Sequence, residues 1–301
     1  MLISRCWSRR GWTFTLFVGL LAAWCPPATH GYTLLPLAVE AADPLPHGVV
    51  EAGLGTSYFK DMRFPAFTPP GTLDRQDLVA VPQLVFRIGA GGWAEIQANY
   101  EMLYLDETWS TGKTNHQYNS GDLRLFTKVR VMHEREWLPA LSVRFGVKLP
   151  NAVRAERLGT DDTDFGADVI ASKDFGFVSA HVNLGVLLIG NSGSTMPTFP
   201  NWYTPGGQDD TVHYDVGFVS APLGKAEPGS VSVRLMGEFA GIGASHYNND
   251  QAAMRLGLQA QRGPLKLYLG TSVGLITASE DVGFTAGFVY TFEPAKWFGD
   301  A

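Results

Sequence analysis

From about residue 48 onward, apolar and polar positions alternate in one segment after another. The clearest is the last, where Val282, Phe284, Ala286, Phe288, Tyr290 and Phe292 take every second place and Gly283, Thr285, Gly287, Val289 and Thr291 fill the other face. Alternate side chains of a strand point to opposite faces, so this segment carries one apolar stripe ending in aromatics. A soluble sandwich would bury such a stripe, whereas a transmembrane barrel turns it to lipid and ends it with aromatics at the water interface. The same pattern predicts strands over 48–58, 77–88, 92–104, 120–132, 139–149, 163–173, 176–189, 211–221, 231–242, 251–261, 264–275 and 281–292. Most match the roughly 9–11 residues that a tilted strand needs to cross a bilayer, with some overhang. Past the N-terminus no segment carries a helical period.

The predicted connections alternate in length. Phe59–Gln76, Leu105–Asn119, Pro150–Asp162 and Gly190–Asp210 are long, while Gly89-Ala90-Gly91, His133–Leu138, Asp174-Phe175 and Arg262-Gly263 are short. With the N-terminus on the periplasmic side, every odd-numbered connection falls outside the cell and every even one in the periplasm, with only the last outer connection, Ile276–Glu280, brief, which is the asymmetry of outer-membrane barrels. The expected fold class is all-β: a transmembrane, antiparallel, up-and-down barrel of about twelve strands behind a signal peptide.

Charge identifies the inner face. On the fourth predicted strand Leu123, Leu125, Thr127, Val129 and Val131 oppose Asp122, Arg124, Lys128 and Arg130, and on the fifth Leu141, Val143, Phe145, Val147 and Leu149 oppose Ser142, Arg144 and Lys148. An Arg or Lys on the lipid face costs roughly 2–4 kcal/mol at the midplane, so the charged face is the lumen. A slip of one residue would reverse the faces. The lumen set continues with Glu95 and Glu101, Asp164 and Asp168, His181 and Asn183, His213 and Asp215, Arg234 and Glu238, Arg255, and Lys266. Acidic Glu95 and Glu101 are expected to face Arg124, Lys128 and Arg130, and Arg144 and Lys148 to face Asp164 and Asp168. Two roles compete: a cross-strand ionic network that stiffens a narrow lumen, or a polar channel that selects or binds solutes.

The N-terminus reads as an export signal, with Arg5, Arg9 and Arg10 ahead of an apolar run from Trp12 to Cys25. Val39-Glu40-Ala41 and Thr29-His30-Gly31 are the two candidate cleavage points, so residues 1–41 are assigned to signal and lead-in and 42–301 to the barrel. Cys6 and Cys25 are the only cysteines and both fall in the segment expected to be removed, which excludes disulfides and Cys-based metal or nucleophile sites from the processed chain. The net charge of −6 gives no basic excess for nucleic acid.

Catalytic patterns are weak. Ser245 and His246 sit at an external rim, but adjacent residues of a strand point to opposite faces and form no dyad. Asp161, Asp162 and Asp164 lack the spacing and glycine of a calcium loop. The seven histidines show no paired metal spacing, although His181 and His213 both face the lumen on adjacent strands. The glycine-rich pieces lie in strands and turns, not ahead of a helix, and make no phosphate loop. No catalytic residue, metal site or cofactor is assigned.

Two resemblances sharpen this reading. Thr285, Gly287, Tyr290 and Phe292 resemble the C-terminal signal of outer-membrane barrels, which implies recognition by the barrel-assembly machinery through Tyr290 and Phe292. Gly121-Asp122-Leu123-Arg124-Leu125 with Lys128, then Pro139 to Pro150, then Gly159 to Phe165, resemble Gram-negative outer-membrane proteins ascribed to transport in the meta-pathway of phenol degradation. That resemblance implies a barrel that moves small aromatic or hydrophobic compounds. Larger hydrocarbon transporters carry an N-terminal hatch, for which the stretch before Val49 leaves no room. The leading expectation is passage of a small solute through, or laterally out of, a charged lumen, with outer-membrane lipid as surroundings. Two others stand beside it: a salt-bridged, closed barrel whose external loops bind a partner, and a lipid hydrolase at the rim.

Overall fold

The computed structural model describes residues 33–62, 73–152, 156, 158, 162–188, 190, 210–224, 229–244, 250–277 and 279–293. The export signal, Ser245 and His246 lie outside these residues, as does most of the connection from Gly190 to Asp210. Among the described residues thirteen strands form: β1 Val50–Lys60, β2 Leu73–Ala90, β3 Ala94–Trp109, β4 Thr114–Ser120, β5 Leu123–Met132, β6 Ala140–Leu149, β7 Asp164–Asp174, β8 Val178–Leu188, β9 Asp210–Ser220, β10 Ser232–Ala244, β11 Gln251–Arg262, β12 Leu265–Gly274 and β13 Val282–Phe292. The first strand pairs with the last, from Val50 opposite Phe292 to Lys60 opposite Val282, so the sheet closes on itself. Closure removes the exposed edges that an open sheet would present.

The wall has twelve strands because β4 and β5 are two halves of one. Both pair with β3, Met102–Thr108 against β4 and Ala94–Asn99 against β5. The break falls at Gly121, where an added Cβ would come within 3.0 Å of the Glu101 carbonyl oxygen. The expected loop from Leu105 to Asn119 is therefore corrected: β3 runs on to Trp109 and β4 returns from Thr114. With the outer end of β2 they make a three-stranded ribbon above the barrel. Its polar residues pair across the strands, with Asn115 donating to Glu107 at 3.2 Å and the Tyr104 ring stacked on His116 at 6.3 Å. Leu105 and Glu107 of β3 are buried on one face of the ribbon, but β4 is polar and carries no apolar stripe, so it gave no alternating signature.

The faces fall where charge placed them. Leu84, Phe86, Ile96, Phe145, Leu184, Phe218, Leu256 and Leu269 stand on the outside, and Leu256 keeps 62% of its surface open. That belt is the lipid-facing surface. The inside is inverted relative to a soluble core: Lys128 and Lys148 head the largest fully buried side chains.

Candidate functional site: the lumen and the segment that crosses it

Residues 33–48 precede β1, belong to no strand, and run through the barrel. Leu34, Leu37, Ala38, Val39, Ala41, Ala42 and Leu45 are all buried there. A chain threaded through a lumen must satisfy its own backbone N–H and C=O groups, because no ladder does it. Lumen side chains take that role. The Ala42 N–H donates to Ser172 Oγ at 2.8 Å, and the Leu45 N–H donates to Glu95 Oε2 at 2.8 Å. Ala38 and Val39 both donate to the Glu238 carboxylate. Lys128 Nζ donates to the Ala41 carbonyl at 3.0 Å, and Gln259 Nε2 reaches the Thr33 and Leu35 carbonyls at 3.2 Å each. Glycines on the wall make room. A Cβ on Gly257 or Gly270 would stand 2.7 or 2.5 Å from Pro36 Cγ, and one on Gly217 would stand 2.4 Å from a Val39 methyl. Among the described residues, what crosses the lumen is this irregular segment.

Glu40 is the segment's anchor. Arg87 donates to both its oxygens at 3.0 and 2.6 Å, Arg144 stands at 3.5 Å and Lys128 at 3.6 Å. Burial alone would disfavour the charged carboxylate, but these three cations surround and compensate it. A carboxylate among three charged donors is stabilised by charge-assisted bonds in a setting that water screens poorly.

Most of the other predicted lumen residues are buried and paired. Arg124 bonds Glu101, Lys128 lies 3.5 Å from Glu95, Arg144 Nε donates to Asp168 at 2.7 Å, and Lys148 stands 2.7 Å from Asp164 and 3.3 Å from Asp122. Arg255 donates to Glu238 at 2.7 Å, and Arg234 donates to Gln261 at 3.3 Å. His181 shares a hydrogen bond of 2.8 Å with Ser172, and His213 joins Asp168, so the two histidines belong to separate clusters. One expected partnership is corrected: Arg130 pairs at 3.1 Å with Asp43 of the crossing segment, not with Glu95 or Glu101. Sequence reasoning missed Glu40, Asp43 and Arg87. Arg87 was legible from its place on the lumen-facing alternation of β2. Glu40 was hidden because Val39-Glu40-Ala41 imitates a cleavage motif.

The outer mouth is closed differently. Phe59, Met62, Leu78, Ala80, Leu103 and Leu105 line its inner face and meet Ala152 and Leu158 of the β6–β7 connection and Ile242 of β10. Asp122 holds that connection inward by accepting the Asn151 and Ala152 N–H groups at 3.0 Å each. Among the described residues no group of three or more His, Cys, Asp or Glu is placed to hold a metal ion.

No protein-family model and no curated relative matches the chain. Solved structures do. An outer-membrane channel of the COG4313 group from Pseudomonas putida F1 superposes with a TM-score of 0.54 at 12% identity, over 83% of this chain and 98% of that one. The β domain of the Bordetella autotransporter BrkA superposes at 0.50 and 13% identity, over 81% and 100%. The chain thus has the closed-barrel fold of outer-membrane proteins, similar to that of a channel and of an autotransporter domain.

Proposed function

We propose that the chain is an outer-membrane channel that passes a small solute through its lumen once the crossing segment yields. One observation carries this reading. The segment is held by side-chain contacts and glycine-lined slots, with a backbone bond to the wall at its end, from the Gly48 N–H to the Gly89 carbonyl at 3.0 Å, while the wall closes through its own ladder, so the stretch ahead of Gly48 can leave without opening the barrel. The solute is a small aromatic or hydrophobic compound, as the resemblance around residues 121–165 suggests, and the similar COG4313 fold belongs to a protein described as a channel. Processing at Thr29-His30-Gly31 would keep the segment, whereas processing after Ala41 would remove Glu40. Tyr290 and Phe292, with rings 4.7 Å apart at the periplasmic end of β13, serve as the assembly signal.

Planar-bilayer recording of the full chain and of a variant lacking residues 33–45 tests the channel. The shortened protein is expected to show clearly larger conductance steps. Silence from both would favour the closed barrel whose external loops bind a partner, a reading supported by the paired lumen charges and the apolar mouth.

A further inference from the structure

Glu40 is a ligand of the barrel wall that the chain itself carries. Arg87 of β2 grips both of its oxygens, donating at 3.0 and 2.6 Å, while Lys128 of β5 and Arg144 of β6 stand at 3.6 and 3.5 Å. Two N–H groups of one guanidinium on the two oxygens of one carboxylate is the fork by which arginine recognises a carboxylate of any origin. The three cations belong to wall strands and are more than nine-tenths buried, whereas Glu40 belongs to the segment that no ladder holds. Charge defines the occupant. Within ion-pair distance of the three cations stand three carboxylates, Glu40, Glu95 and Asp168. Without Glu40 the cluster keeps one positive charge too many, in a place where an uncompensated charge is costly. One monoanion restores the balance, whichever molecule brings it. The surroundings add an apolar side. Val39 and Ala41, on either side of Glu40, share a buried cluster with Val219 of β9 and Met236 of β10. Those two wall residues lose their apolar cover when the segment leaves.

We infer that the seat of Glu40 is a binding site for a small carboxylate with an apolar body, and that the crossing segment fills it as a tethered competitor. A carboxylate solute that takes the seat while the segment is undocked keeps the segment from returning, so the solute holds its own path open. The inference deepens the channel reading, on which it rests for calling the ligand a solute. The binding itself is measured at equilibrium whether or not current flows. A neutral alcohol brings no charge to replace that of Glu40, and an ammonium group adds a fourth cation, so both are refused. Glu40 competes strongly, because a short tether holds it at an effective concentration on the order of millimolar.

Isothermal titration calorimetry in detergent micelles compares benzoate, benzyl alcohol, benzylammonium and acetate on the parent chain and on Glu40→Ala. In Glu40→Ala benzoate is expected to bind at one site per barrel, roughly tenfold or more tightly than in the parent, where the tethered carboxylate competes. Acetate, which has the charge but no body, binds clearly more weakly, and the alcohol and the ammonium give only dilution heats. Adding Arg87→Gln to Glu40→Ala abolishes the benzoate heat. Arg144→Gln takes its place should that pair fail to show the compact, heat-modifiable band of a folded barrel. Uptake into micelles is common to all the proteins and cancels in the comparison. Where intact mass shows that processing has removed residue 40, the parent is expected to bind benzoate as Glu40→Ala does, and the arginine substitutions are made in the parent. No benzoate heat in folded Glu40→Ala would overturn the proposal. Equal binding of benzyl alcohol or acetate would do the same, as would binding that survives the arginine substitutions, or a parent that keeps Glu40 yet binds as tightly as the variant. Benzoate binding without bilayer conductance would keep the seat and remove the channel, and conductance without binding would do the reverse.

Discussion

Among the described residues the lumen is obstructed at two levels, and the two closures are built on opposite chemistry. Toward the periplasm, a carboxylate on a crossing peptide sits among Arg87, Lys128 and Arg144, and the peptide's backbone is met by hydrogen bonds from Ser142, Lys128, Gln259 and others. Toward the cell exterior, Phe59, Leu78, Leu103 and Leu105 of β1–β3 pack on Leu158 and Ile242. Of these strands β2 and β3 serve both, their inward-facing rows passing from Arg87 and Glu95 to Leu78 and Leu103. "Inside" in a narrow barrel is therefore not one solvent. Its polarity at each level is set by what fills that level. A directional, charge-assisted closure depends on a few groups and fails when one is lost. An apolar closure depends on volume and fails gradually.

The sharpest way to break this comparison is to remove the one acidic anchor. Glu40→Ala leaves Arg87, Lys128 and Arg144 sharing only Glu95 and Asp168. Taking away one partner of a buried ionic cluster costs roughly 3–5 kcal/mol, because the remaining charges stay buried. The loss falls on the segment's docking and not on the ladder. The expected result is a large rise in the chemical labelling of a cysteine placed at Ala38, with the heat-modifiable band intact. Labelling that does not change would mean the segment is held by packing alone.

The polar and apolar closures also differed in how legible they were. Arg124, Lys128, Arg144 and Lys148 could be placed in the lumen from sequence because hydrocarbon forbids the alternative, and alternation then fixed every neighbour. Their partners on adjacent strands followed from the same register, as with Arg144 and Asp168. Glu40 and Asp43 could not be placed this way. They lie on a segment without period, and their partners Arg87, Lys128, Arg130 and Arg144 are distant along the chain. The outer mouth was hidden for a related reason. Leu78 and Leu103 look like ordinary strand residues, Leu105 falls in an expected connection, and only the inward fold of Ala152 and Leu158 turns them into a cluster. Chain alternation reports which face a residue occupies, not what crosses the space in front of it.

Leu158→Ala probes the other closure with a smaller effect. Leu158 is 2% exposed and reaches the cluster from a connection held by Asp122. Truncating a buried leucine costs about 2–5 kcal/mol, and a site on a connection that can settle inward belongs near the lower end. Limited proteolysis within residues 150–163 should quicken, while labelling at position 38 stays as in the parent chain. If both change together, the closures are one cooperative unit and the contrast between them fails.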